Sequence, residues 1–148
     1  MLKEGDYAPN FALKCTSGNY HNISEFLGKK IVLFFYPKDN TSNCTIESCG
    51  FRDDYKDIRL KNTIIIGVSP DGVQSHINFK EQHKLPFMLL SDQDYSAAKK
   101  YEVLRKVLGF RTKQIIRSTF IIDESGKINK VFSNVNVLGH SKEILSYL

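Results

Sequence analysis

Ile31-Val32-Leu33-Phe34-Phe35-Tyr36, closed by Pro37, is the stretch that decides the fold. Six apolar residues in a row bounded by a proline are too short for a core helix. They read as a strand buried on both faces, hence central and parallel in its sheet. The run is also far below the roughly 20 residues that a membrane-spanning helix needs.

Working outward, Thr63 to Ser69 (TIIIGVS) is a second buried strand and Phe87 to Leu90 a short third one. Between them Pro70-Asp71-Gly72 turns the chain, and Val73 to His83 reads as a helix ending before Leu85-Pro86. Thr45 to Leu60 places Ile46, Cys49, Phe51, Tyr55 and Ile58 near one helical face. A further helix is expected from about Tyr95 to Tyr101. Upstream, Phe11 to Cys15 and Tyr20 to Ile23 form a hairpin about Ser17-Gly18-Asn19. Downstream, Thr119 to Ile122 and Ile128 to Phe132 pair about Glu124-Ser125-Gly126, and Gly139 to Leu148 closes as a helix. Residues 102–117 show no clear period. The order is an α/β one: a hairpin, then βαβαβα, then ββα, giving a mixed central sheet with helices on both faces. No linker or repeat divides it, so residues 1–148 are expected to form a single domain.

Composition narrows the function classes. Of 148 residues, 41% are hydrophobic and 25% charged, which excludes a disordered chain. The net charge of +5 is spread along the sequence. The basic residues Arg105, Lys106, Arg111 and Lys113 lack interleaved aromatics or a binding motif, so no nucleic-acid partner is expected. The N-terminal residues lack the apolar run of a secretion signal. Three cysteines are an odd count, which argues against a disulfide framework and for a cytoplasmic thiol protein. His21, His76, His83 and His140 show no metal-ligand spacing, no cysteine pair is C-x-x-C, and no Gly-rich phosphate loop is present. No metal or cofactor is therefore expected.

Chemistry concentrates in Tyr36-Pro37-Lys38-Asp39-Asn40-Thr41-Ser42-Asn43-Cys44-Thr45. This segment leaves the end of the central strand, where open α/β sheets place their sites, and enters a helix. A helix N-terminus offers unpaired N–H groups and a partial positive charge, which favour a thiolate. Thr41 can place its hydroxyl against the Cys44 sulfur or its substrate, or serve as a helix cap. Asn43 tolerates an unusual backbone angle beside Cys44. Cys44 and Cys49, on one ideal helix, have Cα atoms roughly 8.6 Å apart. A disulfide needs about 7 Å or less. A bridge between them would require the first turns to unwind. Cys49 would equally suit a core position on the apolar side of its helix, and Cys15 reads as an inert thiol.

The loop resembles that of the peroxiredoxin family: Pro37, Thr41 and Cys44 fall at the family's spacing of Pro, Thr and reactive Cys. CTIESCGFRD, from Cys44, is similar to the atypical two-cysteine subgroup called bacterioferritin comigratory protein or peroxiredoxin Q. Arg117-Ser118-Thr119-Phe120-Ile121-Ile122-Asp123 resembles the strand whose arginine faces the active cysteine. GHSKEIL, residues 139–145, resembles the closing helix. The likeness runs through essentially the whole chain. It departs at Ser42-Asn43, where Pro-Gly is usual, and in the segment before Arg117, which lacks a common Trp.

The resemblance implies a thioredoxin-like fold and a thiol peroxidase acting on hydrogen peroxide and organic hydroperoxides. Cys44 would be the catalytic nucleophile, with Thr41, Arg117 and Pro37 shaping its surroundings. Cys49 would resolve the Cys44 sulfenic acid as an intramolecular disulfide. Thioredoxin or a similar dithiol would be the reductant, and the chain would act as a monomer. Two other readings stay open: a general thiol–disulfide oxidoreductase, and a peroxide-sensing redox module. Glu47, one turn beyond Cys44, would either orient an arginine or simply favour the helix N-terminus.

Overall fold

The computed structural model describes residues 2–106 and 113–148. The apolar run forms the central strand β3 (Lys30–Phe35), buried from Ile31 onward. Its side chains alternate between two cores, as the two-residue period of a strand requires. Ile31, Leu33 and Phe35 face one, and Val32, Phe34 and Tyr36 the other.

Strands β1 (Leu13–Lys14), β2 (Tyr20–His21), β4 (Thr63–Ser69), β5 (Met88–Ser91), β8 (Ser118–Ile122) and β9 (Ile128–Ser133) complete a seven-stranded sheet. Its order is β2-β1-β5-β4-β3-β8-β9. β3, β4 and β5 run parallel. β8 lies antiparallel to β3, and β1 antiparallel to β5, so the sheet is mixed as expected. At Gly67 in β4 an added Cβ would stand 2.8 Å from Phe34 Cζ and 2.9 Å from a Leu89 methyl. The absent side chain is what lets Phe34 lie across the strand.

Helices α1 (Ser42–Asp53), α2 (Tyr55–Arg59), α3 (Val73–His83) and α5 (His140–Leu145) bury Phe51, Ile58, Phe79 and Ile144 on the core that holds Val32 and Phe34. Helix α4 (Ser96–Lys100) places Ala97 and Ala98 on the opposite core. Both faces of the sheet are therefore covered.

The structure corrects several boundaries. The single helix expected over 45–60 begins at Ser42 and breaks at Asp54 into α1 and α2. The side chain of Asp54 is engaged by Ser141 and Lys142 of α5, which fixes the corner there. Because α1 starts early, Asn43 is helical, and the left-handed backbone falls on Asn40 (φ 61°). Ile23 leaves the hairpin for a short 3-10 turn, where Asn22 and Glu25 make a reciprocal cap. The closing helix spans 140–145 only. In the unassigned segment, β6 (Leu104–Lys106) pairs with β7 (Lys113–Ile115). Arg111, named above in the basic run, lies outside the described residues.

Candidate active site

The parallel strand β3 ends at Phe35, and residues 36–41 carry the chain into α1. Cys44 is the third residue of that helix. The Thr45 amide bonds back to the Thr41 carbonyl at 2.9 Å. The amides before it, in the first turn, have no partner within the helix, so Cys44 sits where a helix presents N–H groups and positive charge. Its side chain is fully buried.

Arg117, between β7 and β8, reaches this sulfur from the start of the strand that neighbours β3. Its Nη2 donates to Cys44 Sγ at 3.1 Å, and its Nη1 donates to Glu47 Oε1 at 2.8 Å. Glu47 lies three residues after Cys44 and so shares its helix face. One planar guanidinium thus links two residues of one helical turn, which suits its rigid fork of donors. Burial works against the guanidinium charge, but Glu47 and the Cys44 sulfur outweigh it, and the Arg117 pKa is raised.

Glu47 is itself buried, and its Oε2 has no hydrogen-bond partner among the described residues. Burial pushes its carboxyl up to about 7, against the opposing pull of Arg117. Ser48, the next residue, is also fully buried, and its hydroxyl has no hydrogen-bond partner among the described residues. Two polar atoms between Cys44 and Cys49 are thus unsatisfied among the described residues.

The other expected residues are placed as follows. Cys49 is half-buried on the same helix and carries a free thiol. Five residues turn it about 140° around the helix axis from Cys44, so the two sulfurs point to different sides. Thr41 occupies the position before α1 without capping it, and its hydroxyl donates to the Lys38 carbonyl at 2.9 Å, not to the sulfur. Pro37 is half-buried at the start of the loop, beside Tyr36. Cys15 belongs to the opposite core from Cys44. Burial pushes its thiol up, but contacts with Ser17 and His21 outweigh this and hold it at about 7.

Sequence reasoning missed the polar groups that brace the loop. Asp39 is buried, accepting from Tyr36 Oη, Ser75 Oγ and His76 Nδ1. The Asp39 amide donates to Asp71 Oδ2. Asp39, Asp71 and His76 bring ligand-type atoms within 4.8 Å of one another. Those atoms are engaged with each other and with Tyr36, Ser69 and Ser75, which makes the cluster a hydrogen-bond network. His140 is likewise buried, bonded to Thr119 Oγ1 at 2.8 Å and edge-on to Phe51. Burial lowers its pKa, with Glu143 opposing and Arg117 adding to the shift.

Comparison with known proteins agrees with this geometry. The model of the AhpC/TSA family matches residues 5–131. Peroxiredoxin Bcp of Bacillus subtilis is 43% identical, with 99% of this chain and 95% of the relative covered. Peroxiredoxin Bcp of Escherichia coli K12 is 34% identical, with 99% and 96% covered. Among solved structures, a cysteine-to-serine variant of PrxQ from Xylella fastidiosa superimposes with a TM-score of 0.93 at 30% identity, over 99% of this chain and 95% of that one. Peroxidoxin BcpB from Mycobacterium tuberculosis gives a TM-score of 0.91 at 32% identity, over 99% and 96%. The fold is thus the thioredoxin-like one that the element order and the resemblance led us to expect. With a buried cysteine at a helix mouth and a guanidinium on its sulfur, the chain belongs to the AhpC/TSA family, in its Bcp/PrxQ peroxiredoxin branch, and is a thiol-dependent peroxidase.

Proposed function

We propose that Cys44 is the nucleophile of this peroxidase and Cys49 its resolving partner. The carrying observation is the 3.1 Å hydrogen bond from Arg117 Nη2 to Cys44 Sγ at the N-terminus of α1. The Cys44 thiolate attacks one oxygen of a hydroperoxide, forming an S–O bond as the O–O bond breaks. The other oxygen leaves as hydroxide or alkoxide and takes up a proton to give water or alcohol. Negative charge spreads over sulfur and both oxygens in the transition state. Arg117 and the free amides of the first turn are donors already in place for it. Pro37, with fixed φ and no N–H, shapes the loop over the sulfur. Thr41, whose hydroxyl lies at the mouth of the helix, is the polar side chain of the loop that would orient the peroxide.

The product is the Cys44 sulfenic acid. The Cys49 thiolate then attacks that sulfur, and hydroxide leaves and is protonated to water as the intramolecular disulfide forms. This step requires α1 to unwind between the two cysteines, since an intact helix holds their Cα atoms roughly 8.6 Å apart. An external dithiol of the thioredoxin type restores both thiols by exchange. Both cysteines lie in one chain, which supports a monomer of one domain. No helix among the described residues is long and apolar enough to cross a membrane, and we place the protein in the cytoplasm.

Peroxide consumption coupled to thioredoxin and its reductase tests the assignment. Cys44→Ser should abolish turnover. Cys49→Ser should consume one equivalent of peroxide in a burst and then recycle poorly. Full turnover by the Cys44→Ser protein would overturn the reading.

A further inference from the structure

Asp39 lies in the loop that presents Cys44, yet its side chain is turned away from solvent and into α3. Its Oδ1 accepts from Tyr36 Oη at 2.6 Å, and its Oδ2 from Ser75 Oγ at 2.8 Å and His76 Nδ1 at 2.7 Å. On the far side of the same ring, His76 Nε2 donates at 3.1 Å to the Leu90 carbonyl, which can only accept. The ring thus bridges Asp39 and β5, with both of its nitrogens hydrogen-bonded. The Asp39 and His76 side chains are each about 1% exposed, so this is a buried carboxyl–imidazole pair whose hydrogen-bonding atoms are satisfied. The neighbouring charged group is Asp71, occupied by the Asp39 amide and Ser69 Oγ.

We propose that His76 is a positioning residue of the peroxidase. It clasps the 37–41 loop, through Asp39, to α3 and β5, and so confines the unwinding of α1 to the chain beyond Thr41. This rests on the roles of Cys44 and Cys49 given above. The far end of α1 is anchored separately, by Asp54 to Ser141 and Lys142 and by Phe51 packed against Phe34 and His140. Between these anchors, among the described residues, the side-chain hydrogen bonds from 42–49 to the strands run to Arg117. The stretch that must open is thus held by packing and, in side-chain hydrogen bonds to the sheet side, through Arg117, and it is flanked by two fixed points. With the loop held, Cys44 returns to Arg117 after each reduction. With it loose, the closed arrangement is reached less often, while closure of the disulfide is not hindered.

Rapid mixing with hydrogen peroxide separates the two steps: second-order oxidation of Cys44 and first-order closure of the disulfide. In His76→Gln the oxidation rate should fall roughly tenfold, less than the roughly hundredfold that a fixed ångström of misplacement costs, because the loosened loop still visits the closed arrangement. Closure should be unchanged or faster. Ser75→Ala should shift the rates in the same sense by a smaller factor. Equal slowing of both steps, slowing of closure alone, or no change in either would overturn the proposal. On the unsubstituted protein, NMR of the His76 ring should show an N–H signal protected from exchange with solvent, and an unprotected ring would overturn the clasp even if His76→Gln fails to fold. Failure of the unsubstituted protein to show the two steps would count against the cysteine assignments, a result distinct from these.

Discussion

Arg117 Nη2 lies 3.1 Å from Cys44 Sγ although 73 residues separate the two in the chain. The contact exists because β8 pairs antiparallel with β3, Ser118 opposite Phe35. That register brings the start of β8 beside the end of β3, where the helix carrying Cys44 begins. The site is thus a consequence of strand order, and its pieces can be tested one by one.

Replacing Arg117 with Met removes the charge while keeping much of the stem. Loss of one preorganised donor typically lowers such a rate by a factor of about 10²–10³. The oxidation rate of Cys44 should fall by that order in stopped-flow measurements. Arg117→Lys should recover only part, because an ammonium cannot serve sulfur and carboxylate with one planar fork. An unchanged rate in Arg117→Met would remove the guanidinium from the chemistry.

Glu47 should leave a signature in stability against pH. Burial raises its folded-state pKa from 4.5 to about 7, so the folded protein holds a proton that the unfolded chain has released. The stability this confers is fully present below about 4.5 and is lost as pH rises through about 7. A rise from 4.5 to about 7 corresponds to roughly 3 kcal/mol. Urea midpoints of the native chain should therefore decline over that window relative to Glu47→Gln, which does not titrate. Parallel curves would contradict the raised pKa of the buried carboxyl.

Inside the segment proposed to unwind, Ser48 presents a buried hydroxyl that has no partner among the described residues. Ser48→Ala removes an unsatisfied group and should stabilise the closed helix by about 1 kcal/mol. A change of that size is a factor of about 5 in an equilibrium. Disulfide closure should slow by up to that factor while peroxide oxidation is unaffected. Faster closure in the variant would show that the hydroxyl supports the helix.

Gly67→Ala tests the packing that holds β3 against β4. Its Cβ would meet Phe34 and Leu89 at less than 3.0 Å, in the middle of a parallel pair. Overpacking of this kind costs about 1–3 kcal/mol. Thermal unfolding should shift down accordingly; an unshifted transition would mean that Phe34 moves aside freely.

Much of this was legible in the sequence, for identifiable reasons. The apolar run at 31–36 and TIIIGVS at 63–69 are long and uninterrupted, and both became strands at or within a residue of those bounds. The loop spacing of Pro37, Thr41 and Cys44 was readable because it is local. The partners of that loop leave no periodic trace. Arg117 facing Cys44 came from the resemblance, and Glu47 orienting an arginine was one of two open readings; Arg117 bonds both. Asp39 meeting His76 across 37 residues was not legible at all. The break at Asp54 was hidden because the apolar period runs on through Tyr55 and Ile58, while its cause lies 87 residues away in Ser141. Asn43 reads as able to tolerate an unusual backbone angle, but α1 starts at Ser42, so Asn43 is helical and the left-handed residue is Asn40.

The most direct test of the central claim is peptide mapping by mass spectrometry after the reduced protein meets one equivalent of hydrogen peroxide. The account predicts one intramolecular bridge joining Cys44 to Cys49, with Cys15 still a free thiol behind the sheet. A bridge to Cys15, or one between chains, would contradict it.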